Sequence, residues 1–283
     1  MSLPNCVIID TPASMVWSDP AVPESLLRSI AADPGKVIRA AACRPVKIDR
    51  ESLIVQSELT VGDRSMPVAV KQFRRRTLWK ALAANFRLGK AIENWQKADF
   101  LLSRHVATPR PLLACRPHSW TTSSISFLVT EWIGGAENLH LFGRRIAERP
   151  IDARLRVAAQ CAAAVGRLLG RIHAAGAAHR DLKAANLLVV EQTCGVIVYL
   201  VDLDGLQPGK QVPFQRRARD LARLAAGLAA HPWVTRSICG RFLRAYLEEF
   251  PQECIDWKPL WRAIARKTAG IIRRKQRRGQ QVL

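Results

Sequence analysis

No stretch of this sequence reaches the roughly 18 to 20 unbroken apolar residues that a membrane-spanning helix needs. The N-terminus, MSLPNCVIIDTPAS, lacks a basic start followed by an apolar run, so a secretory signal is not expected. No CxxC pair occurs among the seven cysteines, which are odd in number and widely spread. That usage suits a reducing cytoplasm and argues against structural zinc. Acidic residues are also scarce. There are 23 against 44 lysines and arginines, a formal net charge of +21 in 283 residues. Such an imbalance favours an anionic partner: nucleic acid, phospholipid headgroups or a phosphorylated substrate. A solvated basic surface is the plainer reading, and charge alone does not choose between them.

What is present is an apolar content of 48%, enough for one large domain or two lobes. Much of the charge sits in KQFRRRTLWKALAANFRLGK, residues 71–90, and in RAIARKTAGIIRRKQRRGQQ, residues 262–281. Residues 1–35 are proline-rich without clear periodicity and read as an irregular leader with one short helix at ESLLRSIAA. From Val46 the pattern turns to strands, VKIDRESLIVQSEL and PVAVKQF, around a Gly-Asp turn. Residues 77–105 carry helical periodicity, broken at Pro109, and SISFLVTEWI reads as a further strand. The second half opens with a long helix over 152–174, with Gly176 as its C-cap. Strands NLLVV and VIVYLVDLDG follow, and after Pro208 the pattern is helical.

Between that long helix and strand NLLVV lies HRDLKAAN, residues 179–186. Its type, spacing and context match the H-R-D-L-x-x-x-N catalytic loop of kinase-like enzymes. With VAVKQF, ATPRPLLA, FLVTEWI, LLGRIHAAGAAHRDLKAANLLV, VYLVDLDG and RARDLARL in that order, the chain resembles the protein-kinase superfamily. Within it, the chain most resembles the bacterial lipopolysaccharide core kinases, which phosphorylate heptose or Kdo sugars. The resemblance implies an α+β, bilobal protein-kinase-like fold. A small β-rich N-lobe with one main helix and the hinge would occupy 36–133. A larger, mostly helical C-lobe with a basic tail would occupy 134–283.

The same resemblance implies ATP and Mg2+ and assigns roles. Asp181 would accept or orient the proton of the acceptor hydroxyl, and Lys183 would reach the moving phosphoryl group. Asn186 and Asp202 would be magnesium ligands, through the hard oxygens that this ion prefers. Asp204, two residues on, shares a face with Asp202 if strand geometry continues. The Asp-Gly pairing of a DFG-like reading would instead make Asp204 the main ligand. Lys71 matches the strand lysine that holds the donor phosphates, and Glu93, the only acid in 77–98, is its expected partner. Glu131 and Ile133 would begin the interlobe connection, with backbone groups near the adenine. Asp220 resembles the helix aspartate that braces the catalytic-loop backbone, while His173, His179 and Arg180 read as structural.

Two family parts are missing. No glycine occurs in AAACRPVKIDRESLIVQSEL, where a phosphate-covering glycine loop belongs; Arg44 or Lys47 could supply charge there. The stretch DLDGLQPGKQVPFQRRARD holds no serine, threonine or tyrosine, so phosphorylation cannot switch it, and no A-P-E sequence follows. The expected acceptor is therefore a lipopolysaccharide core sugar, not a polypeptide, met in the cytoplasm or at the inner membrane. Anionic inner-leaflet lipids are a further expected partner, and no specific nucleic acid is expected. A Ser/Thr protein kinase with a shortened C-lobe, and a catalytically silent basic binding module, are the alternatives.

Overall fold

A computed structural model describes residues 6–35, 44–49, 52–61, 64–74, 89–118, 125–231, 233–252 and 256–279. The chain divides into two compact units, one of residues 1–100 and 109–133, the other of 101–108 and 134–283.

The first unit is built on a seven-stranded sheet in which every neighbouring pair is antiparallel, in the order β1-β2-β6-β7-β5-β4-β3. Its strands are β1 (Val7–Asp10), β2 (Ser14–Ser18), β3 (Arg44–Ile48), β4 (Ser52–Val61), β5 (Arg64–Arg74), β6 (Pro111–Pro117) and β7 (Ile125–Glu131). Helix α1 (Glu24–Ala32) packs Leu27, Ile30 and Ala31 with Val16, Val55, Val70, Cys115 and Val129. Helix α2 (Lys90–Leu102) packs Ala91, Ile92 and Trp95 with Trp17, Phe73, Ala114 and Leu128. Because alternate strand residues face opposite ways, these two clusters are the two faces of one sheet.

The expected irregular leader is a correction. Residues 7–18 contribute two strands to this unit, and the short helix expected at ESLLRSIAA is present as α1. The prolines misled because they sit between elements: Pro12 follows β1, Pro20 follows β2 and Pro23 caps α1. Strand β2 also hides its period, since neighbouring Val16 and Trp17 are both buried, one on each covered face. The first part of the helix expected over 77–105 lies outside the described residues; the helix is present from Lys90 and ends at Leu102. Strand β6, unread in the sequence, follows Pro109.

The second unit is mostly helical: α3 (Leu139–Ala147), α4 (Ile151–Ala174), α5 (Phe214–Leu228), α6 (Arg236–Leu247) and α7 (Trp257–Arg277). Helix α4 and α6 approach closely because Gly166 and Gly170 carry no side chain. A Cβ at Gly166 would collide with the Phe242 carbonyl oxygen, and one at Gly170 would lie 2.7 Å from that of Tyr246. Short strands β8 (Glu137–Asn138), β10 (Leu187–Gln192) and β11 (Gly195–Leu200) form one antiparallel sheet, and β9 (Ala177–His179) pairs with β12 (Leu206–Pro208). Helix α3 was expected only as a turn; Asn138 starts it by accepting from the His140 and Leu141 N–H groups. Cys6, Cys115, Cys161, Cys194 and Cys239 are free thiols, and burial pushes the Cys161 thiol up to about 12.

Candidate active site

The loop with HRDLKAAN is built from the end of α4 onward. Gly176 ends the helix with φ +79°, and a Cβ there would lie 2.5 Å from the Gly209 carbonyl oxygen. Both conformation and space demand glycine. Strand β9 then runs beside β12, and the Arg180 N–H donates to the Gly205 carbonyl at 2.9 Å.

Asp220, on α5 and wholly buried, fixes this backbone. Its Oδ2 accepts the His179 N–H at 2.9 Å, and Arg216 and Arg223 reach its Oδ1 at 3.2 and 3.4 Å. The expected bracing role is therefore visible as a hydrogen bond. His173, also buried, meets the Tyr246 hydroxyl at 2.8 Å and lies 3.8 Å from Asp220. Burial pushes the His173 and His179 imidazoles down, so both favour the neutral form. A carbonyl can only accept, so the His179 Nε2 contact of 3.1 Å with the Asp202 carbonyl fixes Nε2 as the protonated nitrogen.

Asp202 takes φ 61° and ψ 63°, a left-handed conformation that non-glycine residues rarely adopt. Strain of this kind costs about 1–3 kcal/mol and gathers at functional sites. It also corrects one expectation. Strand β11 ends at Leu200, and Asp204 lies in a 3-10 turn over Leu203–Gly205, so the two aspartates do not share a face by strand alternation. Gly205 has no room for a side chain, since a Cβ would meet the His179 Cε1 at 2.7 Å. The Asp-Gly pair was the available signal for that glycine, and only its turn propensity could be read.

Asn186 is 4% exposed and joins the two segments. Its Nδ2 donates to the Asp181 carbonyl at 3.0 Å, and its own carbonyl accepts the Val201 N–H at 2.9 Å. Asp181 and Lys183 are exposed at the loop surface, where the Lys183 ammonium donates to Asp181 Oδ2 at 2.7 Å. Asp181, Lys183 and Asn186 are thus joined directly, and the Asp202 backbone is tied in beside them, through its carbonyl to His179 and through the preceding Val201 N–H to Asn186. The amide orientation leaves Asn186 Oδ1 as its remaining acceptor. Among the described residues no group of three or more His, Cys, Asp or Glu side chains could cage a metal. An amide oxygen and a carboxylate suit magnesium, which keeps several waters and draws further oxygens from phosphates.

The remaining predicted site residues belong to the first unit. Lys71 lies in mid-β5 between Ile54 of β4 and Leu128 of β7, its Nζ 4.8 Å from the centre of the Phe73 ring. That face is the one covered by α2, whose first turn carries half-buried Glu93. Glu131 closes β7, its N–H donating to the Arg110 carbonyl and its carboxylate accepting the Arg110 N–H, both at 2.9 Å. Ile133 is half-buried at the end of this unit. Arg44 and Lys47 lie on β3, all of it exposed, and Lys47 pairs with Asp49 at 2.7 Å.

Comparison with known proteins places the chain among kinases, phosphotransferases that act on sugar hydroxyls. Residues 48–246 match the model of the "Lipopolysaccharide kinase (Kdo/WaaP) family", and the chain belongs to that family. A solved structure described as "WaaP in complex with acyl carrier protein" is similar at 25% identity and a TM-score of 0.62, over 88% of this chain and 98% of that one. No curated protein matches.

Proposed function

We propose that this protein transfers the γ-phosphoryl group of ATP to a heptose or Kdo hydroxyl of the lipopolysaccharide core, at the cytoplasmic face of the inner membrane. The observation that carries the reading is the bonding of Asp181 to Lys183 and Asn186, with the Asp202 backbone held beside them through His179 and Val201, and the His179 N–H held by buried Asp220.

Phosphoryl transfer asks a protein chiefly for positioning and for neutralisation of phosphate charge. The exposed Asp181 carboxylate accepts the acceptor hydroxyl's proton as the new O–P bond forms and the bond to the ADP leaving group breaks. Lys183, already beside that carboxylate, reaches the moving phosphoryl group. Asn186 Oδ1 and the Asp202 carboxylate would hold magnesium, which when bound would neutralise phosphate charge. The left-handed turn at Asp202 favours it over Asp204 as the main ligand. Lys71 holds the donor phosphates, with Glu93 as its partner, and Glu131 and Ile133 contribute near the adenine. The absence of any serine, threonine or tyrosine between Asp202 and Asp220 supports an unswitched enzyme with a non-peptide acceptor. A charge of +21 supports attraction to an anionic leaflet, where such an acceptor is anchored.

Incubation with labelled ATP, magnesium and deacylated core oligosaccharide tests the reading. Transfer to the sugar, lost in Asp181→Ala, is the expected result. Transfer to a protein substrate but none to sugar would overturn the acceptor assignment, and no turnover with either would leave a binding module.

A further inference from the structure

The surface made by α6 and the start of α7 carries a feature that phosphoryl transfer does not use. A groove of about 640 Å³ there has Leu243 and Leu247 in its lining together with the indoles of Trp257 and Trp261. Arg236 and Arg244 also line it, as does Glu248, whose carboxylate accepts from Arg244 at 3.1 Å. Trp257 keeps 52% of its surface exposed, a large apolar exposure for a ring that prefers cover.

The groove continues into a basic helix face. Leu260 and Ala263 of α7 are buried, and the Thr268 hydroxyl reaches the Ala222 carbonyl of α5, so one side of α7 is occupied by the protein. Lys258, Arg262, Arg266, Arg273 and Arg277 recur at steps of four and seven, all exposed, and therefore share another side. No aspartate or glutamate occurs between Trp257 and Arg277. Indoles settle where one end of the ring meets hydrocarbon and the other meets water, and lysines and arginines are drawn to anionic headgroups.

We propose that the α6–α7 groove and the basic face of α7 dock this protein on an anionic phospholipid bilayer, with Trp257 and Trp261 at headgroup level and an acyl chain over Leu243 and Leu247. The choice of a bilayer follows from the combination. Nucleic acid would use the cations and stack on the rings but has nothing to set against the leucines, whereas an anionic lipid matches all three chemistries. The proposal extends the inner-leaflet location given above and names the residues that would achieve it.

Flotation of the full chain with vesicles of phosphatidylcholine alone, or mixed with phosphatidylglycerol, is the test, paired with tryptophan quenching by brominated acyl chains. Binding and quenching are expected only with the mixed vesicles. W257A/W261A should weaken binding about tenfold and remove most of the quenching. The charge variant R262Q/R266Q, confined to exposed positions, should weaken binding without removing an indole. Both variants should still phosphorylate a soluble deacylated acceptor. Tryptophan-dependent binding by a protein inactive on every acceptor would sustain the docking surface while removing the kinase reading. Vesicle binding that survives W257A/W261A, binding to neither vesicle, or tryptophan-dependent capture of acyl carrier protein without vesicle binding would each overturn the proposal.

Discussion

The two units hold the side chains proposed for the site by different means. Lys71 of the first unit owes its place to ladder pairing, with β4 on one side and β7 on the other. The buried polar residues of that unit, among those described, are Ser14, Ser18, Ser57, Gln72, Asn94 and Ser126, none of them ionisable. In the second unit the buried polar set includes His173, His179, Arg217 and Asp220. There the site backbone is irregular, a left-handed aspartate and two 3-10 turns, and side chains hold what no ladder can. A ladder is redundant, whereas a buried ion network concentrates its stabilisation in a few groups. The second unit should therefore be the more fragile one, to mutation and to acid.

The largest expected effect separates chemistry from scaffold. Asp181→Ala should lower turnover by about 10²–10⁴ if the carboxylate acts as general base. Asp181 is exposed, so thermal melting should stay as in the parent. An active variant would remove Asp181 from the reaction. Asp220→Ala should do the reverse in stability, costing about 3–5 kcal/mol, because it strands two half-buried arginines and the buried His179 N–H. Lys71→Ala, by contrast, should raise the KM for ATP with little change in melting. Equal loss of stability in these two variants would erase the distinction drawn between the units.

Gly166→Ala comes next, at about 1–3 kcal/mol by denaturant unfolding, since its new methyl would press on the Phe242 carbonyl. Gly240→Ala, where a Cβ meets nothing within 4 Å, is the matched control. The smallest effect is in pH. Burial pushes His140, His173, His179 and His231 down, and all four lie in the second unit. The unfolded chain, with histidines near the ordinary value of about 6.5, then binds protons first as pH falls. Stability present above that pH should decline below it, down through the lowered folded values. Hydrogen exchange resolved by unit should show the decline in the second unit first.

Much of this was open to a reader of the sequence. HRDLKAAN, the long helix before it and the strands after it are local patterns. The structure places the helix and the first strand as read, with α4 over Ile151–Ala174 and Gly176 left-handed at its end, while the second strand stops at Leu200, short of DLDG. Where reading failed, burial on two faces was the cause. Strand β2 sits inside a sheet covered by α1 and α2, so its residues do not alternate, and the prolines around it resembled those of a loose leader. Helix α3 failed for a smaller reason: nine residues after a glycine pair gave little room for a period to show.

The sequence by itself determined the chemistry: which carboxylates, amide and lysine stand at which spacing, and how much positive charge surrounds them. Only the tertiary structure decided that Asp202 turns left-handed, that Asp204 leaves its face, and that Asp220 closes on the His179 backbone 41 residues away. Residue types and short spacings are fixed by covalent order. A backbone held in a sparsely populated conformation is fixed only by what packs and bonds around it, and those partners come from distant parts of the chain.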